Sequence, residues 1–579
     1  MRLPVPLPLL LLLLSCSLGL LAGCRSAPEP LSGPAQPPAP SETIRAPAPP
    51  APASQSPSFQ ADRIAVTGAR LAHPRPSPIP RPPRPLPPPS NTERYAQIDT
   101  HPVRRVSEAP VSTFSVDVDT GSYSNVRRML RQGRRPPADA VRTEEFVNYF
   151  RYGHPGPDSA QTPFRVTTEL APSPWGAGRQ LLMIGIRGYD VAPDALPPAN
   201  LVFLIDTSGS MQGPDKLPLL QQSLATLVER LRPQDRVSLV TYAGSAGLAL
   251  PPTAGDRKAE ILAALHGLRA GGGTHGSAGL ALAYATARQA HVAGGINRVI
   301  LATDGDFNVG IVDRGELETY VADQRRGGIA LSTLGFGQGN YHDAMAERLA
   351  DVGDGQHAYI DTLQEARKVL VEALSSTLLT IARDVKVQVE FDPARVAEYR
   401  LIGYENRALD EADFANDRVD AGDIGAGHEV TALYEIALAG GGGERLPPRR
   451  YGTPAAAPTA PAAAGEIAHV AVRYKRPGES RSRLIATPVR AEALRARPSD
   501  TLRFAAGVAA YADALRGGAH LGDWGWEDIR AALAAGRGDD PWGLRGELLG
   551  LVDLARSAVE PARLSGSAQA NGADGSGRP

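Results

Sequence analysis

Leu201-Val-Phe-Leu-Ile205, running into Asp206-Thr-Ser208-Gly-Ser210, decides how this chain is read. Five successive apolar residues fit a strand covered on both faces, as in a parallel sheet. The run stops in one carboxylate and two hydroxyls, placing three hard oxygen ligands at the carboxyl edge of the sheet, where open α/β folds bind ligands. A second buried-strand run, Asn297-Arg-Val-Ile-Leu-Ala-Thr303, ends in Asp304-Gly305-Asp306, and Gly271-Gly-Gly-Thr274 forms a flexible loop ahead of a helix. The set becomes two carboxylates, Asp206 and Asp304, with three hydroxyls, Ser208, Ser210 and Thr274. Oxygen ligation without His or Cys selects a hard cation. Few carboxylates, several hydroxyls and room for water suit Mg²⁺ better than Ca²⁺, and Mn²⁺ also fits.

Each of these residues alone has an ordinary role as a helix cap or strand end. Together, the D-x-S-x-S, Thr, Asp constellation is similar to the metal-ion-dependent adhesion site of von Willebrand factor type A domains, at all five positions. The resemblance implies that Ser208, Ser210 and Thr274 approach the metal through hydroxyls, and that Asp206 and Asp304 ligate directly or through water. Neutral hydroxyls leave the cation electrophilic, so the implied sixth ligand is a Glu or Asp of a protein partner.

A chain of 579 residues exceeds one core and suggests three or four units. The formal net charge of −1 gives no case for nucleic acid. Lysine occurs only at 216, 258, 368, 386 and 475 among 61 basic residues, a compositional preference for arginine that discounts readings built on single arginines. Both cysteines, Cys16 and Cys24, precede the folded part, so no disulfide framework is expected there. Arg2 and the apolar stretch from Leu9 to Ala22 read as a secretory signal over 1–23; prolines at 4, 6 and 8 argue against a spanning helix.

Leu21-Ala-Gly-Cys24 resembles a bacterial lipobox, which implies cleavage before Cys24 and acylation of that residue. Several acyl chains would anchor the protein in a membrane without a transmembrane segment. Arg25 stands where an inner-membrane retention Asp commonly stands, so the resemblance points to the outer membrane of a cell envelope. Residues 24–90 form a Pro-rich segment expected to be a disordered, polyproline-like stalk, about 200 Å if fully extended.

Residues 91–197 read as an N-terminal accessory domain, with helical text at Ser122 to Leu130 and Ala140 to Phe150 and strand text at Phe164 to Leu170 and Gln180 to Ile186. Over 198–379 strand candidates at 200–206, 236–243, 297–303, 328–335 and 356–360 alternate with helices, predicting a doubly wound, mostly parallel α/β sheet of Rossmann-like type. Its last helix opens on a capping box, Thr362-Leu-Gln-Glu365, and should run to about Leu379. Residues 380–499 are β-rich, with strict alternation at Asp384 to Phe391 and again at Glu429 to Leu438 and Ala468 to Tyr474. Residues 500–562 return to helical text, and 563–579 read as a disordered tail. The strands flanking the α/β segment are each too few for an independent unit, so 164–186 and 384–391 are predicted to join one β-sandwich into which that segment is inserted.

Val111-Ser-Thr-Phe-Ser-Val-Asp-Val-Asp119, Arg400-Leu-Ile-Gly-Tyr-Glu-Asn-Arg407 and Asp420-Ala-Gly-Asp-Ile-Gly-Ala-Gly-His428 resemble the signature blocks of bacterial YfbK-type von Willebrand A proteins. That family implies an accessory domain, a type A domain and a C-terminal DUF3520-type domain. Enzyme readings fare worse. Gly335-Phe-Gly337-Gln-Gly339-Asn340 lacks the last glycine of a dinucleotide loop, and His275 stands where a nucleophile elbow around Ser277 needs glycine. His428 lacks zinc-ligand neighbours, and a Mg²⁺-dependent hydrolase would depend on Asp306 as base. The expected function is a non-catalytic envelope lipoprotein that captures a partner carboxylate at the metal; the alternative is a structural component of an envelope complex with a structural ion. No feature of the sequence sets an oligomeric state.

Overall fold

A computed structural model describes residue 95 and residues 97–570, apart from 117–118, 274–275, 306–313, 339–342, 373–377 and 451–464. The signal, the stalk with Cys24, Thr274, His275, Asp306 and the end of the tail lie outside the described residues. Helix text at the C-terminus continues to Ala570, past the boundary expected at 562.

The first part of the described chain contains strands β1 (Arg104–Arg105) and β2 (Val111–Ser115), helices α1 (Gly121–Arg131) and α2 (Thr143–Asn148), and strands β3 (Phe164–Pro172) and β4 (Arg179–Gly188). Strands and helices then alternate except at the β6-β7 and α4-α5 pairs: β5 (Ala199–Asp206), α3 (Leu217–Val228), β6 (Arg236–Tyr242), β7 (Ala246–Ala254), α4 (Lys258–Gly267), α5 (Gly276–Gln289), β8 (Ile296–Thr303), α6 (Arg314–Arg326), β9 (Ala330–Phe336), α7 (Asp343–Val352), β10 (His357–Ile360) and α8 (Leu363–Arg367). The rest comprises β11 (Thr380–Phe391), β12 (Val396–Ile402), β13 (Ala408–Leu409), α9 (Glu411–Phe414), β14 (Ile424–Gly425), β15 (Glu429–Leu438), β16 (Glu466–Lys475), β17 (Arg483–Arg490), α10 (Asp500–Arg516), α11 (Trp526–Ala535) and α12 (Leu544–Ala570).

The α/β part is a six-stranded sheet in the order β10-β9-β8-β5-β6-β7, parallel except for β7, which pairs antiparallel with β6. Every residue of β5 is buried because both faces are covered. Leu201, Phe203 and Ile205 face the layer containing α3 and α4, while Val202 and Leu204 face the layer containing α5 and α6. Each such side chain contributes on the order of 1.5–3 kcal/mol when fully buried. The sheet order reverses between β5 and β8, the place where ligands bind in this architecture. Edge strand β7 was not anticipated: its two prolines and the scarcity of buried positions hide the alternation that marks a strand.

The flanking strands form two antiparallel sheets, β1-β12-β15-β4-β3 and β13-β2-β11-β16-β17. They enclose one core, in which Leu182, Ile184 and Ile186 of β4 meet Val385, Val387 and Val389 of β11. Strands 164–186 and 384–391 therefore share a sandwich from opposite sheets and do not hydrogen-bond to each other. Alternation in β15 suggests one wet face, yet nearly the whole strand is buried. Its other face is covered by helices: Leu433 joins a second core with α2 and α10, while Val430, Ala432, Tyr434 and Ile436 face the sandwich. The polar residues on the covered face are matched there. Glu429 accepts from the backbone amides of Tyr152 and Gly153, and Glu435 pairs with Arg445 at 3.1 Å.

Candidate metal centre

Asp206 is the last residue of β5, Ser208 and Ser210 lie in the turn that follows, and Asp304 comes one residue after β8. Neighbouring parallel strands thus bring Asp206 and Asp304 to one sheet edge, and both are fully buried. The Ser208 amide donates to Asp206 Oδ1 at 2.8 Å, and the Ser208 and Ser210 hydroxyl oxygens are 2.9 Å apart. Thr274 lies outside the described residues, but the preceding glycines are held against the turn. The Gly271 amide donates to the Thr207 carbonyl at 2.8 Å and the Gly209 amide to the Gly272 carbonyl at 3.0 Å. The Asp-Ser-Ser turn and the glycine loop are therefore joined by backbone bonds that need no ion.

Asp206 Oδ2 is buried and no well-formed hydrogen bond reaches it, although the Tyr242 hydroxyl lies beside the carboxylate. Burial raises the Asp206 carboxyl to about 6; Ser208 and Tyr242 oppose the shift and Asp304 adds to it. An unpaired buried carboxylate oxygen is costly, and a cation beside it removes that cost. The donor set, two carboxylates with adjacent serine hydroxyls, is chemically suited to Mg²⁺ or Mn²⁺. No group of three or more His, Cys, Asp or Glu with metal-holding geometry occurs among the described residues, so a cation held here would draw on the serine hydroxyls as well as the carboxylates.

One residue at the candidate site escaped the sequence reading. Lys216, immediately before α3, places Nζ 2.8 Å from Asp304 Oδ2. It reaches there because Gly337, at φ +73, leaves room: a Cβ at that position would collide with the Lys216 side chain. The signal was present in composition. In a chain with only five lysines, a lysine ten residues after Asp206 stood out.

The Thr362 hydroxyl accepts from the Glu365 amide at 3.2 Å, one half of the expected capping box; the other half does not form, because the Glu365 carboxylate turns to Arg127 and Tyr149. The helix then widens into a π-type turn over Lys368–Glu372, and 373–377 lie outside the described residues. Its start is clamped by Arg127 of α1, which donates to Asp361 at 2.8 Å, Glu365 at 2.7 Å and Glu547 of α12 at 3.2 Å. Tyr149 donates to Glu365 at 2.6 Å. Burial alone would raise the Glu365 carboxyl, but Lys368 and Arg127 outweigh it and hold it below the usual range.

The three signature blocks all grip the α/β part. Asp119 accepts from the His357 amide at 2.8 Å, Arg407 pairs with Asp351 at 3.0 Å and Glu347 at 2.9 Å, and Asp420 pairs with Arg325 at 2.7 Å. His428 keeps Nδ1 buried without a partner, and burial lowers the ring to about 4.

A family profile described as "Uncharacterized protein YfbK, C-terminal" matches residues 376–558, one described as "von Willebrand factor type A domain" matches 200–373, and one described as "von Willebrand factor" matches 89–183. The chain is 48% identical over 479 residues to "Uncharacterized protein YfbK" of Escherichia coli (strain K12), covering 81% of this chain and 82% of that protein. It is 31% identical over 164 residues to "Inter-alpha-trypsin inhibitor heavy chain H4" of Bos taurus, covering 26% of this chain and 18% of that protein. Among solved structures, "von Willebrand factor type A from Catenulispora acidiphila" is similar at a TM-score of 0.38 and 16% identity over 70% of this chain and 91% of that one, too loosely to carry an argument. With its type A sheet, its two flanking sheets and nearly half of its residues shared with the Escherichia coli protein over most of both lengths, the chain belongs to the YfbK family.

Proposed function

We propose that this protein captures a carboxylate of a partner protein at a divalent cation, Mg²⁺ before Mn²⁺ or Ca²⁺, held by Asp206, Ser208, Ser210, Thr274 and Asp304. The observation that carries the reading is the buried Asp206 Oδ2, which no well-formed hydrogen bond reaches, beside the paired serine hydroxyls at the point where the sheet order reverses. The cation, when bound, supplies Lewis acidity toward an incoming oxygen. The chain's own residues do the rest. The Ser208 amide orients Asp206, the serine hydroxyls contribute oxygen without adding charge, and Lys216 holds Asp304 in place. The role is binding without catalysis.

The backbone bonds between the turn and the glycine loop favour capture over a purely structural ion, because the loops are joined without one. We further propose that Cys24 carries a lipid anchor in the cell envelope, in the outer membrane where the cell has one. Labelled palmitate should enter the wild type and not Cys24→Ser. For capture, partners are pulled from envelope extract with Mg²⁺, with EDTA and with Asp304→Ala. Proteins retained only by the wild type with Mg²⁺ are expected, while chelation lowers the thermal midpoint by no more than a few degrees and leaves the chain folded. An identical set in all three sinks the capture reading, and joint loss of binding and thermal stability on chelation makes the ion structural.

A further inference from the structure

Helix α1 is packed along the edge strand β10 of the type A sheet and runs in the same direction. Gly121 at its start lies against the His357 ring, Arg128 lies over the Tyr359 ring at 5.6 Å, and Arg127 reaches Asp361 just beyond the strand. A helix so oriented ends at the carboxyl edge of the sheet, the edge that carries Asp206 and Asp304. The ending is fixed there by a side-chain bond: Gln132 Nε2 donates to Gln338 Oε1 at 2.8 Å. Gln338 follows Gly337, against which Lys216 packs on its way to Asp304. Three side-chain contacts thus link the candidate metal centre to the last turn of α1.

That last turn and its exit are basic. Arg131 is 44% exposed although it pairs with Glu547, and half-buried Arg134 donates over a long 3.5 Å to Gln132 Oε1. Arg135 is exposed and makes no ion pair among the described residues. Exposed arginines beside a helix C-terminus are ordinary, because they complement its partial negative charge. Two features set this group apart. The Gln132–Gln338 bond fixes it to the rim of the site, and Lys216 continues the same sign of charge inward to Asp304.

We infer that Arg131, Arg134 and Arg135 form a recognition rim for the partner, and that the partner segment is acidic, with one carboxylate at the metal centre and further Asp or Glu residues lying over the end of α1. The inference rests on the capture reading of Asp206 and Asp304 and adds the chemistry of the partner to it. Charge complementarity at a rim acts chiefly on specificity and association rate. It weakens as salt shortens the screening length to about 10 Å at 0.1 M.

The test uses the full chain and two fluorescein-labelled peptides of twelve residues. One carries a single Asp in a Gly/Ser background, and the other carries that Asp followed by four Glu. Anisotropy titrations in Mg²⁺ at low salt should show the Glu-rich peptide binding about tenfold more tightly than the single-Asp peptide. Arg134→Gln with Arg135→Gln should remove most of that preference, weaken the Glu-rich peptide far more than the single-Asp peptide and leave the circular dichroism spectrum unaltered. Equal affinity of the two peptides for the wild type, no binding of the Glu-rich peptide, or a preference that survives the double substitution largely intact overturns the rim. Asp206→Ala separates the two claims. If it leaves both peptides bound while the arginine substitutions still weaken the Glu-rich one, the rim stands and metal capture fails.

Discussion

Replacing Arg127 by Met should be among the most damaging single changes in this chain that leave the type A core intact. Its side chain is 1% exposed and faces Asp361, Glu365 and Glu547, drawn from the type A part and from α12. Removing one member of a buried ion pair costs about 3–5 kcal/mol, because the remaining charge stays buried. Two groups soften the loss at Glu365: Tyr149 still donates at 2.6 Å, and Lys368 remains at 3.8 Å. Asp361 has no comparable substitute, so about 4 kcal/mol is expected, a large part of the 5–15 kcal/mol that holds an ordinary domain.

The sign of its pH dependence follows from Glu365. Its folded carboxyl lies below the ordinary value of 4.5, so the network stabilises fully above that pH and loses its contribution as the pH falls through the folded value. Urea unfolding followed by far-ultraviolet circular dichroism should show the full deficit at pH 7 and a smaller one below about 4.5. Adding Asp361→Asn and Glu365→Gln to Arg127→Met should recover most of it, since neutral partners need no counter-charge. A deficit under about 1 kcal/mol at pH 7, or one unchanged by acid, would show that the cluster does not act as a buried ion network.

Three further outcomes are expected. Lys216→Met removes an ammonium 2.8 Å from Asp304 and should raise Mg²⁺ affinity by at least about tenfold, a fraction of the ~4 kcal/mol between unit charges 4 Å apart at an effective dielectric constant of about 20; an unchanged titration isotherm contradicts this. Burial, with Glu405 and Glu145, raises the Glu144 carboxyl to about 7, so its neutral form stabilises the fold below the ordinary value of 4.5 and that stability is lost as the pH rises through about 7. Glu144→Gln should therefore gain on the order of 1–3 kcal/mol at pH 8.5 and nothing at pH 4.5, read from paired urea titrations. Thr362→Ala deletes the cap at Glu365 and should cost about 0.5–2 kcal/mol, with faster amide exchange over 363–367; unchanged exchange there would mean the Arg127 cluster alone holds the turn.

The parallel sheet was legible because strands covered on both faces are written as short apolar runs, and β5 and β8 are the clearest of these. Asp206 and Asp304 were legible as a pair because each ends such a run, and the sheet order makes those ends adjacent. Partner choice in the sandwich was not. Alternation reveals that β4 and β11 each have an apolar face, but it does not say which strand lies beside which. β15 shows the same limit, since its second apolar face is hidden among Glu429, Thr431 and Glu435, which look solvent-exposed until their partners are known. Lys216 and Arg127 were missed for a related reason: each acts on a residue 88 or more positions away. The signature blocks announced themselves as a resemblance, and the backbone hydrogen bond accepted by Asp119 with the ion pairs of Arg407 and Asp420 supplies their physical meaning.

The most direct measurement is an isothermal titration of Mg²⁺ into the chelated full chain, beside Asp206→Ala. The account predicts one site per chain in the wild type, none in the variant, and thermal midpoints for the two metal-free proteins within a few degrees of each other. Absence of Mg²⁺ binding at millimolar concentration, or binding of equal strength in Asp206→Ala, would contradict it.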